Sequence, residues 1–171
     1  MDRQTESEAK VSKIFTKVLA TPITKEPKLS ESIENISITP FIFTDDIPKV
    51  MLLTMPLDLL IYAKVHSAEL LSTLRKEFPK YMILMRRAGE IPAPKVFAPV
   101  KSREEIISDI VFPAIVSARL NEVESKEDMS QLVYLDGKNQ CWNKPELATL
   151  EKLMCTVFGQ NFKVKIFGSG F

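Results

Sequence analysis

Histidine is almost missing from this chain of 171 residues: His66 is the only one. Nucleophilic catalysis through a Ser–His or Cys–His pair would have to use it. It falls between Val65 and Ser67 in an expected mid-helix position, and no G-x-S-x-G elbow or cysteine-family pattern accompanies it. It reads as an ordinary surface or half-buried side chain, and no catalytic residue is assigned. Cysteine is as scarce. Cys141 and Cys155 are too few for a disulfide framework and too far apart for a zinc ribbon. Reduced thiols and no metal are expected. Glycine occurs at 89, 137, 159, 168 and 170 only, in neither a Walker A loop nor a dinucleotide fingerprint, so no cofactor is expected. The longest apolar run, Val50 to Leu53, is far too short to span a membrane. The start, Met1-Asp2-Arg3-Gln4, leads into charge, so a secretory leader is not expected, and the Asn35-Ile36-Ser37 sequon is a chance match. A strong charge balance is missing too. The net charge is +1, so binding to nucleic acid must rest on a local surface.

What is present is the composition of an ordinary folded protein, 45% apolar and 26% charged, at a length that suits one domain. Val11, Ile14, Phe15, Val18 and Leu19 recur at helical spacing, which predicts an amphipathic helix over residues 5–19. Pro22 and Pro27 should break the chain beyond it, and a short helix over residues 28–34 completes an N-terminal helical segment, 1–34. This segment covers an edge of the core or docks a partner. Residues 36–43 are rich in Ile, Phe and Thr, and Thr44-Asp45-Asp46 supplies turn chemistry before the strand Lys49-Val50-Met51-Leu52-Leu53-Thr54-Met55. The two strands should pair as an antiparallel hairpin, with the second covered on both faces. Pro56 suits a helix start, and Leu59, Leu60, Ala63, Leu70, Leu71, Leu74 and Phe78 hold one helical face for about six turns until Pro79. Residues 80–86 are strand-like again. Strand, long helix and strand should form a parallel crossover.

Beyond a Pro-rich loop at 88–100, Ser102 and Glu105 have the spacing of a capping box, with Ile106, Ile107, Ile110 and Val111 facing inward. Residues 114–123 and 131–135 should make a second hairpin across a polar turn. Leu135-Asp136-Gly137-Lys138 reads as a turn, and Trp142 either lids the core or stacks on a base. A helix from 144 to 158 ends at Gly159, and Phe162-Lys163-Val164-Lys165-Ile166-Phe167 closes the chain as a strand. No internal repeat is visible. The fold class expected is α/β in the mixed α+β sense: a single domain, 1–171, with a mixed sheet containing a βαβ crossover, helices packed on it and a second hairpin.

Charge is unevenly spread. From Arg75 to Arg103 there are eight basic side chains against two acidic, Glu77 and Glu90. From Glu104 to Asp128 there are seven acidic against Arg119 and Lys126. The basic stretch could hold a phosphate backbone by itself. Its aromatic residues are only Tyr81 and Phe97. Shape and phosphate recognition of folded RNA therefore fits better than a stacking platform for single strands. Arg86 and Arg87 close a core strand, so their backbone is held while their side chains are aimed. Lys80, Arg86, Arg87, Lys95, Lys101 and Arg103 are the candidate RNA contacts.

These segments in order resemble the eukaryote-specific family of small-subunit ribosomal protein seven. The resemblance rests on Asn35-Ile36-Ser37-Ile38, Pro56, a helix ending Leu74-Arg75-Lys76-Glu77-Phe78, then residues 81–85, Arg86-Arg87 and Ile91-Pro92. It continues through Asp109-Ile110-Val111-Phe112-Pro113, Val133-Tyr134-Leu135-Asp136 and Val157-Phe158-Gly159-Gln160-Asn161-Phe162-Lys163-Val164. The resemblance implies one α/β domain on the cytosolic small subunit that contacts small-subunit rRNA and neighbouring ribosomal proteins. It implies a part in subunit assembly and rRNA maturation, a nucleolar assembly phase, and no enzymatic activity, membrane or small-molecule substrate. By position, Arg86 and Arg87 match the family's paired arginines. The family's loop after them is longer and densely basic. Here residues 88–100 carry only Lys95, and the second hairpin is acidic, which marks a shortened, less basic member. The alternative from another class is a non-ribosomal protein–protein interaction module that uses the N-terminal helix and the acidic hairpin.

Overall fold

A computed structural model describes residues 5–93, 100–123, 125, 129–138 and 141–168. The fold is mixed α+β, with two three-stranded sheets. Contacts divide the chain into two compact units, residues 1–41 with 50–90, and residues 42–49 with 91–171.

The first unit opens with three helices, α1 (Glu6–Val18), α2 (Ala20–Lys25) and α3 (Lys28–Glu34). Thr5 and Glu8 start α1 as a reciprocal capping box, satisfying two of the backbone N–H groups that a helix start leaves orphaned. The inward face of α1 is Val11 and Phe15, followed by Leu19 just past its end, all fully buried; Ile14 and Val18 are half-buried. The helix packs against α5 and α3 of its own unit, and Lys10 bridges to Glu77 on α5 at 3.4 Å. Pro22 does not break the chain as expected. It lies in the first turn of α2, where its missing N–H would have had no helical partner.

Strands β1 (Ser37–Phe41) and β2 (Lys49–Met55) pair antiparallel, with Ser37 opposite Thr54 and Phe41 opposite Val50. β2 lies between β1 and β3 (Tyr81–Arg87). The Ala88 N–H, just after β3, donates to the Met55 carbonyl at the end of β2 over 2.7 Å. The C-terminal ends of the two strands are therefore side by side, and β2 and β3 run parallel, as the crossover required. Both strands read as runs of buried residues, Val50 to Leu53 and Met82 to Met85. A strand covered on both faces must look like this.

The connection corrects one expectation. It is two helices, α4 (Leu57–Val65) and α5 (Ser67–Glu77), instead of a single one of six turns. His66 stands between them at φ −99° and ψ 22°, so it is a junction and not a mid-helix residue. β-Branched Val65, His66 and Ser67 form a run of modest helix formers, and the helix yields there. Both halves pack on β3.

The second unit holds α6 (Lys101–Val111), β4 (Val116–Val123), β5 (Met129–Leu135), α7 (Lys144–Phe158) and β6 (Asn161–Ile166). β4 and β5 form the expected hairpin, with a bulge between Val116 and Ala118. The closing strand β6 pairs parallel to β5, from Ser130 opposite Asn161 to Leu135 opposite Ile166. A second mixed sheet results, with α7 as its crossover. Each unit thus repeats one order, helix, hairpin, helical crossover and parallel strand, although the sequence shows no repeat. Asn143 and Glu146 cap α7 reciprocally, and Gly159 ends it at φ +63°, where a side chain would be strained. The capping box expected at Ser102 is not formed: α6 begins at Lys101 after Val100, so Ser102 is already helical. Trp142 is buried and donates its indole N–H to the Val111 carbonyl at 3.0 Å, which makes it a lid on the core.

Candidate nucleic-acid interface

The candidate contacts fall in both units. In the first, β3 carries them at its two ends. Lys80 is exposed in the turn before the strand, following Arg75 and Lys76, which are exposed in the last turn of α5. Arg86 and Arg87 are the last two residues of the strand, both half-buried. A seven-residue strand separates its ends by roughly 20 Å at about 3.3 Å per residue, so Lys80 and the arginine pair are two patches and not one.

The geometry at Arg86 is specific. Its Nε donates to the Arg87 carbonyl at 2.9 Å and its Nη2 to the Gly89 carbonyl at 2.6 Å. One guanidinium thereby pins the backbone of the turn that leaves the strand. The turn needs Gly89, whose φ of +125° is closed to ordinary side chains. Arg86 is both a charge at the surface and the fastener of its own loop. Arg87 follows inside the strand, so alternation sends its side chain to the opposite face.

In the second unit Lys101 is exposed at the first residue of α6. Lys95 lies outside the described residues. Arg103 departs from the expectation of a solvent-facing cation: its side chain is buried, with 2% exposure. Its Nη1 donates to the Pro92 carbonyl at 3.0 Å, its Nη2 to the Gln160 side chain, and its guanidinium lies 4.6 Å from the centre of the Phe158 ring. The reason is positional. Arg103, Ile106, Ile107 and Ile110 share the i, i+3, i+4, i+7 face that α6 turns to the core.

Arg119, which no sequence motif singles out, belongs to the same cluster. It pairs with Glu104, donates to Gln131, and lies 5.8 Å from the Phe162 ring. Phe158 and Phe162 pack at 5.2 Å, so the two arginines flank a pair of rings. Burial holds the Arg103 guanidinium below the ordinary arginine pKa, and the like charge of Arg119 adds to this. Burial lowers Arg119 in the same direction, opposed by the Glu104 carboxylate. The Nε of each finds no acceptor among the described residues. The chemistry of this cluster is structural cation–ring packing around one ion pair.

Among the described residues no three His, Cys, Asp or Glu side chains gather where a metal could sit, and no helix is long and apolar enough to cross a membrane. Cys141 and Cys155 form no disulfide. No family model matches the chain, and no curated protein matches it.

Proposed function

We propose that the protein is a structural constituent of the eukaryotic cytosolic small ribosomal subunit. In this reading it binds small-subunit rRNA and neighbouring ribosomal proteins, and takes part in subunit assembly and rRNA maturation without catalysing a reaction. Its place is the cytoplasmic ribosome, after a nucleolar assembly phase. The observation that carries the reading is the Arg86-Arg87 pair at the end of a strand whose preceding four residues are buried. That construction supports phosphate contact: the backbone is rigid, the charges sit at the rim, and no base-reading helix or aromatic platform accompanies them. The order of segments that resembles the ribosomal family supports it independently. Arg103 drops out of the candidate set because its side chain is buried, which leaves Lys80, Arg86, Arg87 and Lys101 among the described candidates.

The test is the salt dependence of binding to small-subunit rRNA, for the native protein and for Arg86→Ala with Arg87→Ala. Each phosphate-neutralising side chain removed should lower the slope of log affinity against log salt by about one. Identical affinity and slope for the two proteins would remove this patch from the interface.

A further inference from the structure

The second sheet treats its two edges differently. β6 is closed by side chains of α7. The Cys155 thiol accepts from the Phe162 N–H at 3.3 Å and donates to the Phe162 carbonyl at 3.7 Å, and Glu151 accepts from the Val164 N–H at 3.0 Å. Lys163 and Lys165 alternate along the same strand, a second common guard against edge pairing. In the first unit β1 is guarded likewise, by Glu8 on the Ile38 N–H at 3.3 Å and by Pro40, which has no N–H to offer.

β4 has no such guard. The direction of its backbone is set by two bonds. The Leu135 carbonyl faces β6, because it accepts from the Phe167 N–H at 2.8 Å, and the Asp136 N–H faces the β4 side, because it donates to the Ile115 carbonyl at 2.8 Å. Alternation then turns Tyr134, Leu132 and Ser130 towards β4, where they meet Ala118, Leu120 and Glu122. The N–H and C=O groups of Arg119, Asn121 and Val123 are left pointing outward, and among the described residues nothing bonds to them. Leu120 and Val123 are 54% and 65% exposed on this strand. Such an edge is a template for another strand.

We propose that the outer edge of β4 is a strand-addition site for an extended, lysine- or arginine-rich segment of a partner protein. Charge chooses the occupant. Glu122 lies on the edge strand, and the chain running on from it carries Glu124, Glu127 and Asp128 against Lys126 alone. The one arginine of the strand, Arg119, is already paired with Glu104. An added strand gains backbone hydrogen bonds from the outward groups, apolar contact at Leu120 and Val123, and attraction for its basic side chains. The inference stands on the edge of the second sheet alone, and holds whether or not the arginine pair touches rRNA.

The test uses the full chain and a labelled peptide of alternating lysine and valine, with fluorescence anisotropy at low salt. Two controls separate strand pairing from simple attraction: the same peptide N-methylated throughout, and the protein variant Asn121→Pro, checked for folding by its thermal midpoint. Proline at an outward position removes an N–H that β5 does not use. Binding of the plain peptide, weakened about tenfold or more by either change and unaffected by Arg86→Ala with Arg87→Ala, is the expected result. Equal binding of plain and N-methylated peptides would reduce the site to charge and overturn the proposal, as would no binding at all. A dimer of the protein alone that Asn121→Pro dissolves would make a second copy the occupant and also overturn it.

Discussion

Arg103 and Arg119 show how much a single residue's setting changes its meaning. Both are cations in the sequence, and Arg103 ends the most basic stretch of the chain, yet each is spent on the inside of its unit. The sequence does carry a signal for Arg103: its spacing to Ile106, Ile107 and Ile110 sets it on the apolar face of α6. A count of charges along the chain does not register that phase. For Arg119 no such signal exists, because its partners Glu104, Gln131 and Phe162 come from three other elements. The cluster makes two stability predictions. Glu104→Gln leaves a buried guanidinium without its counter-charge; a fully buried pair would lose about 3–5 kcal/mol, and Glu104 is partly exposed, so about 1–2 kcal/mol is expected in denaturant unfolding. Arg103→Met keeps the volume and removes a charge that has only neutral acceptors, so stability should be unchanged or higher. Glu8 gives a pH prediction. The Thr5 backbone N–H lowers its carboxyl pKa most, burial opposes this, and the Ile38 N–H lowers it further. A depressed folded pKa contributes stability above the unfolded value of about 4.3, and that contribution is lost as pH falls through the folded value. The thermal midpoint of the native protein should therefore fall more steeply than that of Glu8→Gln below about pH 4.3.

At the scale of elements, legibility followed locality. α7 was readable from end to end because Pro145, the apolar stripe and Gly159 all lie within or beside it. The crossover from β2 to β3 was readable because a buried strand leaves a continuous apolar run. The break at His66 was not, since the apolar spacing continues across it and only modest propensities mark the junction. The start of α6 was misplaced for the opposite reason. A good local signal at Ser102 lost to a helix that begins one residue before it. The burial of α1 makes the element-scale prediction. Phe15→Ala should cost about 3–5 kcal/mol, and removal of residues 1–20 should lower the thermal midpoint sharply, because Val11, Phe15 and Leu19 are core. An unchanged midpoint on truncation, together with failure to bind a partner, would mean that α1 serves as a docking helix instead.

For the molecule as a whole, the fold class was legible and the repeated architecture was not. The last strand was visible, but its partner was not, since strand pairing over long sequence separations leaves no mark in one sequence. The same holds for the interface. Arg86 and Arg87 were legible as a charged strand end, while the folding of Arg86 onto the Gly89 carbonyl emerges only in three dimensions. What unites these features is an assembly component: no gathered catalytic groups among the described residues, a rigid basic strand end in one unit, and an open sheet edge in the other. The most direct measurement of that reading is sedimentation of the tagged chain from a eukaryotic lysate through a sucrose gradient, with the small-subunit rRNA profile recorded alongside. The account predicts that the chain peaks with the small subunit and follows it into polysomes. A chain that stays at the top of the gradient with free proteins would contradict it.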